Sequence, residues 1–377
     1  MTSFPTLGIL GGGQLGRMTA LAAIPMGVQV RFLVPESAAP LAPFADVTVA
    51  DWTEASVLRA FAEDCDAVTV ESEWAPADLL AVACPGVPVW PAPSTLQTIR
   101  HKGYQRTTLA EAGLPGPAFA CCATLADAHA ALDTLGLPVV AKRFEGSYDG
   151  YGNATVRTPA DLDPAWADLA ADDGLLLEAF VPFVRELAVL VARRPDGETV
   201  VYPIAETEQR DHRLHACLVP APISEGVADE ARRVALGAVE AVGGVGITAV
   251  ELFETPDGQV LVNELAPRPH NSGHYTIEGC HTSQFANHAR AVLGLPLGDP
   301  SLRAPHVALV NVLGHRTARG IEATGFAEAL RVGASGVHVY GKDTVRPKRK
   351  MGHVTCLGRD AAETRARAER AAAALRL

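Results

Sequence analysis

Short apolar runs rich in Val, Ile and Leu recur through the N-terminal part of the chain. They cover residues 7–10, 28–34, 47–50, 66–70 and 87–90. Helical stretches lie between several of them, from Gln14 to Met26 and from Glu54 to Glu63. Strands that alternate with helices predict a parallel βαβ sheet, which we expect to end near Pro91.

The following segment has a different pattern. A helix is predicted from about Thr95 to Ala112, because Gly113 and Pro115 follow it. From about 115 to 180 the order is strand, helix, strand, Gly-rich loop, strand, helix, strand, which predicts a small lid domain. Runs from Arg185 to Arg194 and from Thr199 to Ala205 then indicate an antiparallel third domain.

The third domain contains a helix around Ala228 to Val242, and further strands are predicted near 306–313, 336–340 and 352–357 before a terminal helix. The predicted fold class is therefore mixed α/β and α+β. The predicted divisions are an N-terminal βαβ domain, a linking helix, a lid, a larger domain and a C-terminal segment: 1–94, 95–114, 115–181, 182–300 and 301–377.

Two apolar strands in the third domain flank Pro256-Asp257-Gly258, which predicts a hairpin that carries two acids. A two-residue Asp257-Gly258 loop sets Glu251 opposite Glu264, whereas a type I turn with Gly258 as a bulge sets Glu251 opposite Asn263. We favour the first arrangement, in which Glu251 and Glu264 share one face of the hairpin. Opposed buried carboxylates are unfavourable unless a cation lies between them, and oxygen ligands suit Mg²⁺. The alternative is a pair of solvated surface acids.

Composition narrows the class of protein. The chain has 377 residues, of which 48% are hydrophobic and 20% charged, and its apolar segments are too short to predict a membrane helix. The N-terminus has no secretory pattern, and the seven scattered cysteines contain no CxxC, so we expect a reducing cytoplasm. The net charge of -11 disfavours nucleic acid as a partner.

A glycine motif follows the first predicted strand. In LGILGGGQLGRM, Gly11, Gly13 and Gly16 satisfy GxGxxG, and Glu36 occupies the place of a ribose-binding acid. A nicotinamide-dependent dehydrogenase is therefore one candidate. Such glycines let backbone amides approach any anion at the helix N-terminus, so the motif alone does not identify a dinucleotide.

The segment LPVVAKRFEGSYDGYGN joins a buried strand to a glycine-rich loop. The strand delivers Lys142, and Gly146, Gly150 and Gly152 free backbone amides that can fold over phosphates. GxxxxGK[ST] is absent, so this is not a P-loop. An ordinary hairpin loop is the alternative.

Acidic and basic side chains complete the candidate chemistry. Glu178 ends a predicted strand and Glu186 starts the next, so the connector from Glu178 to Val181 could read an adenine edge while Glu186 binds ribose. His270 and His274 are spaced as zinc ligands would be on a helix, but Pro269 and Gly273 disfavour a helix, and a polar substrate loop is favoured. The segment KDTVRPKRKMGH is either a solvated basic turn or a pocket for a substrate phosphate.

Together, ILGGGQLGRM, GSYDGYG, NELAPRPHNSGHYT and VRPKRKMGH resemble the N5-carboxyaminoimidazole ribonucleotide synthase family of ATP-grasp enzymes. The resemblance spans nearly the whole chain. It implies an ATP-grasp fold with a biotin-carboxylase-like N-terminal domain, a homodimer, and ATP held between the lid and the third domain. The implied reaction joins bicarbonate to 5-aminoimidazole ribonucleotide through carboxyphosphate, with ADP and phosphate as products.

The resemblance also implies roles for individual residues. Contacts with ATP are expected from Lys102, Lys142, Gly146, Ser147, Tyr148, Asp149, Gly150, Tyr151, Gly152, Glu178, Ala179, Phe180, Val181, Glu186, Gln209, Asn263 and Glu264. Contacts with the ribonucleotide are expected from Gln14, Leu15, Glu73, Tyr148, Arg268, His270, Asn271, Lys342 and Arg349. Proton transfer is assigned to Asp149, Tyr148 or His274, and Mg²⁺ to Glu251 and Glu264.

The chain departs from the family pattern in its loop. The usual GGYDGRG is replaced by GSYDGYG, so Ser147 stands for a glycine and Tyr151 for an arginine, which removes a cation. Gln209 also stands where a histidine is common. Besides the dehydrogenase, two other classes compete: a formate-using transformylase that acts on glycinamide ribonucleotide, and a nucleotide-binding protein without turnover.

Overall fold

The computed structural model describes residues 4–36, 45–146, 151–170, 173–320 and 323–377. The N-terminal sheet is parallel, with the strand order β3-β2-β1-β4-β5. Its strands are β1 (Thr6–Leu10), β2 (Gln29–Val34), β3 (Asp46–Val49), β4 (Ala67–Val70) and β5 (Val89–Trp90), and its helices are α1 (Gln14–Ala23), α2 (Ala55–Ala62) and α3 (Ala77–Ala83). The predicted parallel βαβ sheet is confirmed.

The single helix predicted from Thr95 to Ala112 is wrong. The structure has two helices, α4 (Pro93–Arg100) and α5 (Lys102–Glu111), because His101 adopts an extended conformation with φ -92° and ψ 108°. The imidazole of His101 accepts from the Tyr104 amide and so caps α5, while the Lys102 amide donates to the Phe144 carbonyl at 2.7 Å. The break joins α5 to the lid and gives Lys102 its position.

The lid is an antiparallel sheet with two helices, in the strand order β6-β9-β7-β8. Its elements are β6 (Phe119–Cys122), α6 (Leu125–Leu135), β7 (Val139–Arg143), β8 (Asn153–Val156), α7 (Leu162–Leu169) and β9 (Leu175–Ala179). This is the predicted element order. Thr124 and Asp127 form a capping box at the start of α6, so that helix begins where its sequence provides side-chain partners for free amides.

The largest sheet is antiparallel and follows the order β15-β14-β10-β12-β13-β16-β20-β18, with β11 paired to β10. Its strands are β10 (Arg185–Arg193), β11 (Thr199–Val201), β12 (Ala205–Arg210), β13 (Arg213–Val219), β14 (Gly246–Glu254), β15 (Val260–Ala266), β16 (His306–Leu313), β18 (Gly336–Val339) and β20 (Lys350–Gly358). β13 pairs with β16 from Ala216↔Val310 to Val219↔Val307. The predicted division at 300/301 therefore does not separate two sheets.

The other elements of this region are α8 (Glu225–Ala241), α9 (Thr276–Gly279), α10 (Gln284–Val292), α11 (Phe326–Val332), α12 (Ala361–Ala374), and the short pair β17 (Ala318–Arg319) and β19 (Thr344–Val345). α8 packs Val234 and Ala238 against Val189 and Val250 on one face of the sheet. On the opposite face Glu251 pairs with Ala188, which belongs to a second apolar cluster, so polar side chains occupy only part of that face. None of the helices in the part of the chain that the structure describes combines the length and apolar character that a bilayer span requires.

Candidate active site

Glu251 and Glu264 lie directly opposite each other on β14 and β15. The turn, however, is not the two-residue loop. Thr255 and Gln259 are bonded across it and Gly258 has φ +80°, which is the bulged turn that would have set Glu251 opposite Asn263. The register then shifts between Leu252↔Val262 and Glu251↔Glu264, so Asn263 is the extra residue of a β-bulge. The predicted pairing is confirmed, and the predicted loop is wrong.

The charges around this pair are unequal. The ammonium group of Lys102 forms an ion pair with Glu264 and holds the pKa of that carboxyl below its usual range. Among the described residues, no ammonium or guanidinium group pairs with Glu251, and burial, and then the facing Glu264 and Glu186, raise its pKa. Its neighbour is the imidazole of His270, whose Nε2 lies 3.6 Å from Oε1. Burial, with Arg268 and Lys350 nearby, lowers the pKa of His270 to about 3, so this imidazole is neutral at pH 7.

The donor set fits Mg²⁺ accompanied by a nucleotide. Glu251 and Glu264 offer only oxygen ligands, which Mg²⁺ prefers, and burial and the facing acids raise the pKa of Glu251, an effect that a bound cation would oppose. Among the described residues, no group of three or more His, Cys, Asp or Glu side chains is arranged to hold a metal. Two carboxylates, with phosphate oxygens completing the ligand shell, are the usual arrangement for this ion.

A buried ion cluster connects the lid to this hairpin. Glu178 on β9 is only 3% exposed, and its carboxylate accepts from Arg106 at 2.6 Å and from Lys142 Nζ at 2.5 Å. Burial alone would raise the pKa of Glu178, but Lys142 and Arg106 lower it. The Glu178 side chain is therefore part of the protein interior. The predicted contact with adenosine would then be made by the backbone of the connector that follows Glu178.

A cavity of about 1420 Å³ brings most of the predicted residues together. Six residues of the predicted ATP set line it: Lys102, Tyr151, Glu186, Gln209, Asn263 and Glu264. Seven other residues of that set do not line the cavity: Lys142, Gly146, Gly152, Glu178, Ala179, Phe180 and Val181. Four residues predicted to contact ATP, among them the proton-transfer candidates Tyr148 and Asp149, lie outside the described residues: Ser147, Tyr148, Asp149 and Gly150.

The N-terminal glycine loop contacts a carboxylate of the protein itself. Glu71, just after β4, accepts hydrogen bonds from the amides of Gly13 at 2.7 Å and Gly16 at 2.9 Å. A Cβ on Gly11 would lie 2.3 Å from the Glu71 side chain, so the glycines make room for this acid. The amides that a dinucleotide pyrophosphate would use are thus already taken. The structure disfavours the dehydrogenase alternative.

Apart from Tyr148, which lies outside the described residues, the residues predicted to bind the ribonucleotide line the same cavity, from Gln14 and Leu15 at the glycine loop to Lys342 and Arg349 in the basic segment. Arg268 forms a forked ion pair with Glu73, at 2.5 and 3.0 Å. Burial would raise the pKa of Glu73, but Arg268 lowers it. Asn271 exchanges hydrogen bonds with Asn311 at 3.0 and 2.7 Å, and Arg349 donates to the Thr344 carbonyl at 2.8 Å.

His274 lies away from the cavity. It is 0% exposed, its Nδ1 accepts from Gln284 at 3.1 Å, and its ring packs 5.0 Å from that of His353. Burial lowers its pKa well below the ordinary value. A side chain without access to the cavity cannot exchange a proton with a bound substrate directly, so the geometry does not favour the predicted catalytic role. The segment from Asn271 to Gly273 is a 3₁₀ turn, and His270 and His274 do not share a site.

Several residues at the site were not among those expected. Arg106 is buried and Glu71 is half-buried, yet in the sequence each is one polar residue among many. Arg213, on the hairpin between β12 and β13, lines the cavity and lies 6.0 Å from the Tyr151 ring centre. In the sequence, only the ESE spacing of Glu71 and Glu73 after an apolar strand indicated that such a residue belongs to the site. Those two acids follow a strand end, where the ligands of parallel sheets bind.

The fold and the site define an ATP-grasp protein, with a cavity between a lid and an antiparallel sheet. Family models match three parts of the chain: a ribonucleotide synthetase preATP-grasp domain over residues 4–100, an ATP-grasp domain over 107–285, and a phosphoribosylaminoimidazole carboxylase C-terminal domain over 307–367.

Full-length relatives specify the family. The N5-carboxyaminoimidazole ribonucleotide synthase of Mycobacterium tuberculosis is 40% identical, covering 99% of this chain and 88% of the relative. The crystal structure of the Thermotoga maritima enzyme of that name has a TM-score of 0.88 at 36% identity, with 99% of each chain covered. The Aspergillus clavatus enzyme, solved with ADP and 5-aminoimidazole ribonucleotide, has a TM-score of 0.88 at 30% identity and 99% coverage of each chain. The chain belongs to the N5-carboxyaminoimidazole ribonucleotide synthase family of ATP-grasp ligases.

Proposed function

We propose that the chain carboxylates 5-aminoimidazole ribonucleotide with bicarbonate in purine biosynthesis. ATP is consumed, and the products are N5-carboxyaminoimidazole ribonucleotide, ADP and phosphate. The observation that carries the proposal is the opposed pair Glu251 and Glu264, with Lys102 beside it, in one cavity with the basic segment. The family membership and the ligands named for the Aspergillus clavatus relative support the choice of substrate.

Charge determines how the cavity would be used. Lys102 and Lys142 would contact the ATP phosphates, and the connector after Glu178 together with Glu186 would hold adenosine. Glu251 and Glu264 would hold Mg²⁺, which when bound offsets the negative charge of the transferring phosphate. The ion pair of Lys102 with Glu264 already places an ammonium group at this end of the cavity.

The ribonucleotide would occupy the other end of the cavity. Lys342 and Arg349 lie there and suit its phosphate, since charge-assisted bonds to a phosphate are strong. Arg268, which pairs with Glu73, and His270, which contacts Glu251, line the same cavity. The aminoimidazole would thus face the site where bicarbonate is phosphorylated.

The reaction has two parts. Bicarbonate oxygen attacks the γ-phosphorus of ATP, which gives carboxyphosphate and releases ADP. The exocyclic amine of the ribonucleotide then attacks the carboxyl carbon and phosphate leaves, or carboxyphosphate first breaks down to phosphate and carbon dioxide and the amine attacks the carbon dioxide. In both cases the amine loses a proton. Carboxyphosphate hydrolyses readily, so a closed cavity that excludes water protects it. We propose Asp149 or Tyr148 as the acceptor of that proton, as the family resemblance implies.

The cytoplasmic location and the homodimer are also proposed, from the scattered cysteines and from the family resemblance respectively. Size-exclusion chromatography with light scattering tests the second. A monomer at micromolar concentration would contradict it.

The proposed function is tested by ADP release. Release should require both 5-aminoimidazole ribonucleotide and bicarbonate, and Glu264→Gln should abolish it while the variant keeps the wild-type circular dichroism spectrum. Formate that replaces bicarbonate should give no turnover. Formate-dependent release with glycinamide ribonucleotide would instead favour the transformylase, and ATP binding without any substrate-dependent release would favour a binding protein.

A further inference from the structure

β15 is the edge strand of the large sheet, and its outer side is covered by side chains and a loop rather than by another strand. Edge strands leave amides and carbonyls unpaired on that side. Around the bulge these groups are satisfied. The Val262 amide donates to the Pro115 carbonyl at 2.8 Å, and the guanidinium of Arg106 donates to the carbonyls of Val262 and Asn263 at 2.7 Å each.

The residue before Arg106 holds the other side of the bulge. Oε1 of Gln105 accepts from the Leu265 amide at 3.1 Å, and its Nε2 donates to the Ile99 carbonyl at 3.0 Å. Gln105 is 2% exposed and Arg106 5% exposed. Two adjacent side chains of α5 therefore bind the backbone immediately before and after Glu264.

The register of this strand decides where the Glu264 side chain points. Side chains alternate between the faces of a strand, so in a ladder without the bulge Asn263 would pair with Glu251 and the Glu264 carboxylate would lie on the other face. A bulge disrupts the ladder and leaves adjacent backbone groups without partners in the sheet. The fork of Arg106 satisfies two carbonyls at this point, which favours the bulged arrangement.

The same guanidinium is connected to the lid. Its Nε donates to Glu178 at 2.6 Å, and the other oxygen of Glu178 contacts Lys142. A continuous chain of contacts thus runs from the backbone beside Glu264 to a lysine of the lid strand β7.

We propose that Arg106, assisted by Gln105, is a positioning residue that holds the β-bulge at Asn263 and so places Glu264 opposite Glu251 for metal binding. The inference rests on the assignment of these two acids to Mg²⁺ under the proposed function. Arg106 does not line the cavity and acts through Glu264.

The test uses Arg106→Lys and measures metal binding rather than turnover. Lysine keeps the charge beside Glu178 but cannot donate to two carbonyls in a fork. Mn²⁺ binding in the presence of ADP, followed by electron paramagnetic resonance, should weaken by roughly tenfold or more, as for other residues that orient metal ligands. Binding of ADP without metal should change little.

Arg367→Lys is the matched control. The guanidinium of Arg367 also contacts a carbonyl, that of Leu357, and a carboxylate, Glu363 at 3.7 Å, but it lies outside the cavity. This variant should lose some thermal stability and keep the wild-type affinity for Mn²⁺. An Arg106→Lys protein that is folded and binds Mn²⁺ like the control would overturn the proposal.

Gln105→Met decides the case if Arg106→Lys does not fold. It releases the Leu265 amide and the Ile99 carbonyl but keeps the fork of Arg106, so a smaller loss of Mn²⁺ affinity is expected, and unchanged affinity in this variant would contradict the proposal. Neither measurement contains the ribonucleotide or bicarbonate. The metal-binding test can therefore contradict the positioning role while substrate-dependent ADP release is intact. Conversely, absence of ADP release together with the expected Mn²⁺ result would contradict the proposed function and not the positioning role.

Discussion

Replacing Glu178 with Gln should destabilise the protein strongly, because it leaves two buried cations without their shared carboxylate. The side chains of Arg106 and Lys142 are 6% and 13% exposed, and that of Glu178 is 4% exposed. Removing one partner of a buried ion pair costs about 3 to 5 kcal/mol, since the remaining charge stays desolvated. We expect Glu178→Gln to fall in this range.

The assay is urea unfolding, followed by fluorescence and circular dichroism, of the wild type, Glu178→Gln and the control Glu145→Gln. Glu145 pairs with Arg100 at 3.1 Å, but its side chain is 42% exposed, so its loss should cost only about 0 to 1 kcal/mol. The effect should also depend on pH. The folded-state pKa of Glu178 is lowered, so its stabilisation is complete above the ordinary value of 4.5 and is lost as the pH falls through the folded-state pKa.

The difference between Glu178→Gln and the wild type should therefore be constant at neutral pH and narrow only below pH 4.5. A Glu178→Gln protein within about 1 kcal/mol of the wild type at pH 7 would refute the reasoning, because that is the range of exposed pairs. A pH-independent difference would show that packing, rather than charge, causes the loss.

Three further predictions concern binding. Mg²⁺ with ADP should raise the thermal midpoint of the wild type and have little effect on Glu251→Gln in differential scanning fluorimetry; an equal shift in both would remove Glu251 from the metal site. Arg268→Lys loses the forked pair with Glu73, so KM for the ribonucleotide should rise roughly tenfold at similar KM for ATP, and unchanged KM for the ribonucleotide would contradict this. Arg213→Ala should lower kcat/KM for ATP or bicarbonate by roughly tenfold through loss of a charge-assisted contact, whereas Arg210→Ala, on the same hairpin but outside the cavity, should not.

The order of elements could be predicted where the hydrophobic pattern reflects burial. Strands β1 to β5 and the lid follow apolar runs and glycine or proline signals that are local in the sequence. The break at His101 could not be predicted in this way, because it depends on a hydrogen bond from the Lys102 amide to Phe144, which is distant in the sequence.

The acid pair in the active site shows the same limit of prediction from local sequence. Its facing arrangement was predicted from a loop type that the protein does not use, and the bulge that produces it is held by α5 across the edge of the sheet. Likewise, Glu178 and Glu71 were visible as acids, but their partners are brought together only by the tertiary fold. The burial of His274 beside His353 likewise has no local signal in the sequence.

The central claim is that bicarbonate accepts the γ-phosphoryl group of ATP in this cavity. Turnover with ¹⁸O-labelled bicarbonate and 5-aminoimidazole ribonucleotide tests it directly, with phosphate analysed by mass spectrometry. One ¹⁸O atom should appear in phosphate for each ADP formed, because the bridging oxygen of carboxyphosphate stays with phosphorus. Phosphate without the label, formed at the same rate as ADP, would contradict the account.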